Sequence, residues 1–185
     1  LMGLAPYGDA TSAETISFKE KIFAELVDLR EDGSIVLNMR YFNFATGLTM
    51  TRDARWREIF GVEKRKPESE IAQSHCNLAL AVQQCVEEIV VKLAQTAREI
   101  TGSRNLVMAG GVALNCVANS KIVEAGVFEN IWIQPAAGDA GGALGAALAT
   151  CHIYCGKERE IVQGNDRMKG AYLGPVFGDP EIQKV

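Results

Sequence analysis

Asn105 to Ala149, NLVMAGGVALNCVANSKIVEAGVFENIWIQPAAGDAGGALGAALA, alternates short apolar bursts, glycine turns and helix-forming runs. Asn105-Leu106-Val107-Met108-Ala109 predicts a strand ended by Gly110-Gly111. Ala113 to Ala125 predicts a helix stopped at Gly126, a residue suited to the position just past a helix. Ile131-Trp132-Ile133 predicts a second strand, closed by Pro135. Gly138-Asp139-Ala140-Gly141-Gly142 then opens a helix of alanine, glycine and leucine running to about Tyr154. Strand, helix, strand is a βαβ unit, which pairs its strands in parallel and leaves their C-terminal edge open to ligands. The fold class is therefore α/β.

Both glycine turns lead from a strand into a helix and are expected side by side at one sheet edge. Glycine lets backbone approach a ligand, and a helix N-terminus offers unpaired N–H groups with a partial positive charge. A phosphate or nucleotide site fits that form. Neither turn matches G-x-G-x-x-G or the Walker pattern, so by spacing alone the glycines serve equally as tight-turn and packing residues. Asp139, just before a helix, reads by spacing as an N-cap.

Working outward, Glu70 to Thr101 predicts the longest helix. Ile71, Leu78, Val82, Val86, Ile89, Leu93, Ala97 and Ile100 form one apolar stripe, and Gly102 ends it. The helix is expected against the sheet; His75, on the stripe, reads as packing or a cap. Ile16 to Leu29 predicts another helix, Glu31 to Ser34 a turn, and Ile35 to Leu37 a strand. Tyr41 to Thr51 reads as loop with some extended structure, and Asp53 to Phe60 as a short helix stopped at Gly61. Glu63 to Ser69 is a charged connector. After Tyr154 the pattern fades, until Ala171-Tyr172-Leu173-Gly174-Pro175 leads out.

The chain has 185 residues, 48% of them hydrophobic, so a packed core is expected. A formal charge of -4 and a pI of about 5.3 argue against nucleic acid or an anionic membrane as main partner. Nothing approaches the ~18 apolar residues of a membrane span. Five cysteines, Cys76, Cys85, Cys116, Cys151 and Cys155, predict reduced thiols and a cytoplasmic protein. Cys151, His152 and Cys155 could be imagined as metal ligands, but two more ligands are missing and a packed helix face is the better reading. The opening Leu1 to Gly8 resembles the interior of an element, as in a piece of a longer protein.

Three stretches carry a resemblance. Met2-Gly3-Leu4-Ala5-Pro6-Tyr7-Gly8, Ala109-Gly110-Gly111-Val112-Ala113-Leu114-Asn115, and Pro135 through Ala147 resemble, in order and spacing, the ATP-dependent O-carbamoyltransferases of nodulation-factor and antibiotic biosynthesis. That resemblance implies a first domain of the actin/sugar-kinase/Hsp70 (ASKHA) type, with a central mixed sheet flanked by helices. Residues 1–170 would be its second half. Residues 171–185 would begin the linker to an absent YrdC-like domain, which makes carbamoyl-adenylate from carbamoyl phosphate and ATP. The first domain would pass the carbamoyl group to a hydroxyl of a small-molecule acceptor, beside a divalent metal, most readily iron.

By the same resemblance, Gly110, Gly111 and Asn115 face the nucleotide, and Gly138, Gly141 and Gly142 shape a phosphate-facing loop. Met2 to Gly8 lies near the ribose, and Asp139 becomes a metal ligand. The other ligands would be two histidines of an H-x-x-x-H motif, which neither His75 nor His152 forms. The isolated chain is therefore expected to be inactive. A homodimer of the parent is among the assemblies the resemblance allows. Two other readings stand beside it: a phosphotransferase of the same ATPase superfamily, and a nucleotide-responsive interaction module without chemistry.

Overall fold

The computed structural model describes residues 1–160, 168, 171 and 174–183. The expected exit segment at Ala171–Pro175 falls partly outside them, as do most of residues 161–170. The chain divides into two compact units. The first comprises Leu1–Leu106 and Asn115–Ile131, the second Val107–Leu114 and Trp132–Val185.

In the first unit, α1 (Ala13–Lys21) starts on Ser12, whose hydroxyl accepts from the Thr15 N–H at 3.1 Å. It runs into a π-helical turn at Ile22–Leu26 and then into strand β1 (Val27–Leu29), so the helix expected to reach Leu29 stops earlier. The β-branched Val27 pairs with Leu37 of β2 (Ile35–Leu37) in an antiparallel hairpin. Gly33, at φ +78°, makes the reversal between them. The expected extended structure in Tyr41–Thr51 is a single antiparallel bridge, Phe42 to Thr51. Next, α2 (Asp53–Phe60) ends at Gly61 in the left-handed region. Phe18, Ile22, Leu26, Tyr41 and Phe60 form the core with Ala81 and Cys85. The Phe18 and Phe60 rings meet edge to face at 5.5 Å.

The long helix α3 (Gln73–Thr101) begins three residues later than expected and ends at Gly102, in the left-handed region. His75 sets the start: its Nδ1 accepts the Ala72 N–H at 3.0 Å, and its Nε2 meets the Glu63 carbonyl at 3.1 Å. The buried face also differs from the expected stripe. Cys76, Asn77, Ala81, Gln83, Cys85, Val90 and Ala94 are buried; of the expected stripe, Leu78, Val82, Val86, Ile89 and Ala97 are half-buried, with Leu78 and Val82 against the core, whereas Ile71, Leu93 and Ile100 are exposed. The reason is packing on several sides. Within this unit α3 lies chiefly against α1, the Ala5–Tyr7 turn and α4 (Cys116–Glu124), helical neighbours rather than the sheet expected. Close helix approach selects small side chains, so cysteines and alanines go inside.

Strands β3 (Asn105–Met108) and β4 (Asn130–Ile133) pair as a two-stranded sheet. The Arg104 carbonyl accepts from the Glu129 N–H at 2.9 Å, and the Met108 carbonyl from the Gln134 N–H at 3.0 Å. Partner numbers rise together, so the strands run parallel, as the βαβ reading requires. Between them the expected helix is divided: a 3-10 turn at Gly111–Leu114, then α4. The second unit continues with α5 (Ala140–Ala149), a π-helical turn at Thr150–Tyr154, and the short α6 (Asp179–Ile182). The α/β class is observed, with its described strands in two separate two-stranded sheets. Among the described residues no helix is long and apolar enough to cross a membrane.

Candidate functional site

Both glycine turns belong to the second unit, and they are joined. After β3, Gly110 takes φ +100°, a conformation that L side chains rarely adopt, and donates its N–H to the Ala137 carbonyl at 2.8 Å. Its own carbonyl accepts from the Ala113 N–H at 3.0 Å, closing the 3-10 turn that begins at Gly111. Ala137 is buried in the turn after β4, so one hydrogen bond sets the two turns side by side. Gly138 follows, within ordinary contact range of Leu114. Gly141 cannot carry a side chain without overlapping the Ala136 carbonyl, whereas Gly111 and Gly142 face open space.

Asp139 stands at the N-cap position of α5 but does not cap it. Its backbone is already helical (φ −58°, ψ −33°), and its carboxylate accepts no hydrogen bond from the first turn. A capping side chain needs extended backbone at its own residue, which explains why the spacing-based cap reading fails. The side chain is exposed. Among the described residues no three His, Cys, Asp or Glu side chains gather as a metal cluster, so Asp139 offers one donor without companions. The Cys151, His152 and Cys155 trio gathers none either. His152 Nδ1 contacts the Lys157 carbonyl at 2.7 Å, and Cys155 is exposed beyond the π-helical turn.

An open groove of about 550 Å³ lies in the same unit, walled by Met108, Trp132, Gln134, Gly138, Gly141 and Gly142 among others. Its lining is mostly apolar, and Trp132 remains 50% exposed there. Three of the expected site glycines therefore line a ligand-sized concavity, whose volume falls in the usual range for small molecules. Trp132 was legible only as a strand residue. Its signal was a lone large aromatic in a β-run that could have been filled by valine or isoleucine.

Asn115 belongs to the first unit. Its Oδ1 accepts the Ala118 N–H at 3.1 Å, capping α4. The same oxygen accepts from Gln83 Nε2 at 3.2 Å, while Asn115 Nδ2 donates to Gln83 Oε1 at 3.0 Å. Gln83 is 2% exposed and Asn115 8%, so this is a reciprocal amide pair inside the α3–α4 interface. Gln83 Nε2 donates also to Glu87 Oε1 at 2.8 Å, one turn along α3. Nearby, Lys121 is held above the ordinary lysine range by its hydrogen bond to Glu124 and the charge of that carboxylate, with Glu87 adding a smaller push. Gln83 and Glu87 escaped the reading of the sequence; their signal was a Gln–Glu pair four residues apart on an apolar helix.

Residues 1–148 match the family described as carbamoyltransferase N-terminus. The chain is 49% identical over 183 residues to an uncharacterized protein of Synechocystis, covering 99% of this chain and 28% of that one. It is 34% identical to nodulation protein NolNO of Sinorhizobium fredii, over 96% of this chain and 23% of the relative. With nodulation protein NolO of Bradyrhizobium diazoefficiens it shares 32% identity, over 100% of this chain and 30% of the relative. The chain thus spans less than a third of the length of these relatives. With four-fifths of its residues inside one family match, the chain belongs to the carbamoyltransferase N-terminus family.

Proposed function

We propose that this chain is part of an O-carbamoyltransferase and forms the second half of its ASKHA-type transfer domain. The reaction moves a carbamoyl group from carbamoyl-adenylate, made elsewhere in the protein from carbamoyl phosphate and ATP, to a hydroxyl of a small-molecule acceptor. The acceptor oxygen bonds to the carbamoyl carbon, the bond from that carbon to the phosphate oxygen breaks, AMP leaves, and the hydroxyl proton is released. Gly110, Gly111 and the loop of Gly138, Gly141 and Gly142 bring backbone against the nucleotide, and Asn115 hydrogen-bonds it. A metal held in part by Asp139, iron by preference, would supply positive charge for the developing negative oxygen.

Family membership supports the reaction class. The observation that carries the site reading is Asp139: an exposed carboxylate between two site glycines that does not perform the capping role its position would suggest. Asp139 has no companion donors among the described residues, so the metal and the inactivity of the isolated chain rest on the family resemblance alone. Asp139→Asn in the full-length protein tests this. Bound iron and carbamoyl transfer should both fall at least tenfold, with stability changed by no more than about 0.5 kcal/mol, because no cap is lost. Undiminished iron and turnover would remove Asp139 from the site. Adding ATP, carbamoyl phosphate and an acceptor alcohol to the isolated chain should yield no carbamoylated product.

A further inference from the structure

The segment ending at Thr51, helix α2, the connector after it and the start of α3 line a cavity of about 450 Å³ in the first unit. That volume is ligand-sized. Met50, Trp56, Val62 and Leu78 give it apolar walls, and Met50 is 70% exposed. Four charged side chains also line it: Asp53, Glu63, Lys64 and Arg65. What they can offer a ligand follows from the partners they already have. Asp53 is fully engaged, its Oδ1 accepting from the Thr51 hydroxyl at 3.0 Å and its Oδ2 from Lys64 Nζ at 2.7 Å. The second contact also pairs the charge of Lys64. Glu63 pairs with Arg57 at 3.4 Å. His75 adds no charge, because its Nδ1 must be unprotonated to accept the Ala72 N–H. Trp56 sends its one N–H to the Tyr41 carbonyl at 3.0 Å and has only ring surface left. Arg65 is the exception. Its Nη1 donates to the Ser69 carbonyl at 2.5 Å, but among the described residues it makes no ion pair, and the rest of the guanidinium fork has no acceptor there.

We propose that this cavity is a binding site for a small organic carboxylate with a flat apolar body. The body lies along the walls against the Trp56 ring, and Arg65 takes the carboxylate through its guanidinium fork, which matches two oxygens at once. A single uncompensated positive charge suits a monoanion. A phosphate monoester, at roughly -1.5 to -2 near neutral pH, would bring further charge that nothing in the cavity balances. A cationic ligand would find both carboxylates already paired. The site draws on no residue of the glycine loops, so it stands or falls apart from the carbamoyl-transfer reading.

The test is titration of the full-length protein with naphthalene-2-carboxylate, its neutral amide and the matching naphthyl phosphate, with amide hydrogen exchange reporting where each one binds. The carboxylate should bind saturably and slow exchange across residues 49–53 and 62–65. R65Q removes the charge and the fork, and should weaken carboxylate binding roughly tenfold while changing that of the amide by less than about twofold. M50E sets a like charge at an exposed wall residue outside the core, and should weaken the carboxylate roughly threefold. It keeps the question answerable should R65Q loosen the connector through its lost bond to Ser69. Carboxylate binding that ignores both substitutions, or protection confined to other segments, would overturn the site. No saturable binding at millimolar carboxylate would overturn it as well. An amide that binds as tightly as the carboxylate, or a phosphate that binds tenfold tighter, would overturn the assigned ligand class.

Discussion

The Ala136 carbonyl fills the space that a side chain at Gly141 would need, while Gly142, the next residue, looks onto open space. These neighbours in one glycine loop should therefore answer the same substitution differently. Gly141→Ala forces backbone apart and should cost about 1–3 kcal/mol, read as faster amide exchange across Ala140–Ala149. Gly142→Ala should keep or slightly improve stability, by up to about 1 kcal/mol, through helix propensity. If ligand backs onto the loop, Gly142→Ala loses binding without loss of order. Equal exchange rates in the two variants would contradict the geometry.

Gly8 sits under the same kind of restriction in the first unit. A Cβ there would stand 2.6 Å from the Leu80 Cβ and 2.7 Å from the Cys76 carbonyl, so the Pro-Tyr-Gly turn lies flat on α3. Asn77, buried on α3, holds the turn's exit: its Oδ1 accepts the Asp9 N–H at 2.9 Å, and its Nδ2 donates to Glu14 Oε2 at 2.6 Å. Gly8→Ala should detach Leu1–Asp9 from the helix, exposing the Asp9 amide to exchange at least tenfold faster. Asn77→Ala should do the same at about 1–3 kcal/mol, the cost of stranding buried partners. Unchanged exchange at Asp9 in both variants would mean that the clamp does not hold the segment.

The βαβ unit was legible because its signals are local: apolar runs, glycines at the turns, and Gly126 and Gly102 in left-handed conformations where helices stop. The inner face of α3 was legible only in part. Periodicity found Leu78 and Val82, which pack against the core, but it also selected Leu93 and Ile100, which are exposed, and missed the small buried residues, because helix partners on more than one side reward close approach over side-chain volume. The early end of the helix after α1 had the same origin, since Val27–Leu29 are claimed by a partner strand that no local window contains. At the site, the turns and their glycines were readable, whereas the Asn115–Gln83–Glu87 network depends on a pairing across 32 residues. Asp139 shows the limit of position alone: the residue type suits a cap, and the backbone angles forbid one.

Cys85 gives the first unit a dependence on alkaline pH. Burial pushes its thiol up from 9.0 to about 12, with Glu88 adding to the shift and Lys19 opposing it. Below pH 9 the folded and unfolded chains both keep the proton, and the burial of the neutral thiol contributes in full. Between 9 and about 12 only the unfolded chain releases it, so stability should fall as pH rises through that window. Cys85→Ala should flatten this part of the profile, at a cavity cost of about 1–2 kcal/mol at neutral pH. Iodoacetamide at pH 8 should label the exposed Cys116 and Cys155 well before the buried Cys76 and Cys85. Equal labelling rates, or identical alkaline limbs for Cys85→Ala and the parent, would contradict the assignment.

His75 tests whether a histidine on the apolar stripe is a ligand or a fastener. Its two ring nitrogens are both in use, one on the Ala72 N–H and the other on the Glu63 carbonyl, so it binds the start of α3 to the connector that follows α2. That connector carries Lys64 and Arg65, two adjacent trypsin sites, whereas Lys66 precedes Pro67 and resists cleavage. His75→Ala removes an acceptor at the helix start and a donor to the connector, and should cost about 0.5–2 kcal/mol. The connector should then open more often, and trypsin should cleave after Lys64 and Arg65 several-fold faster. On the metal reading proposed above, the iron content of the full-length protein should stay at the wild-type level, in contrast to Asp139→Asn. Loss of iron at an unchanged cleavage rate would instead make His75 a ligand and its two hydrogen bonds incidental.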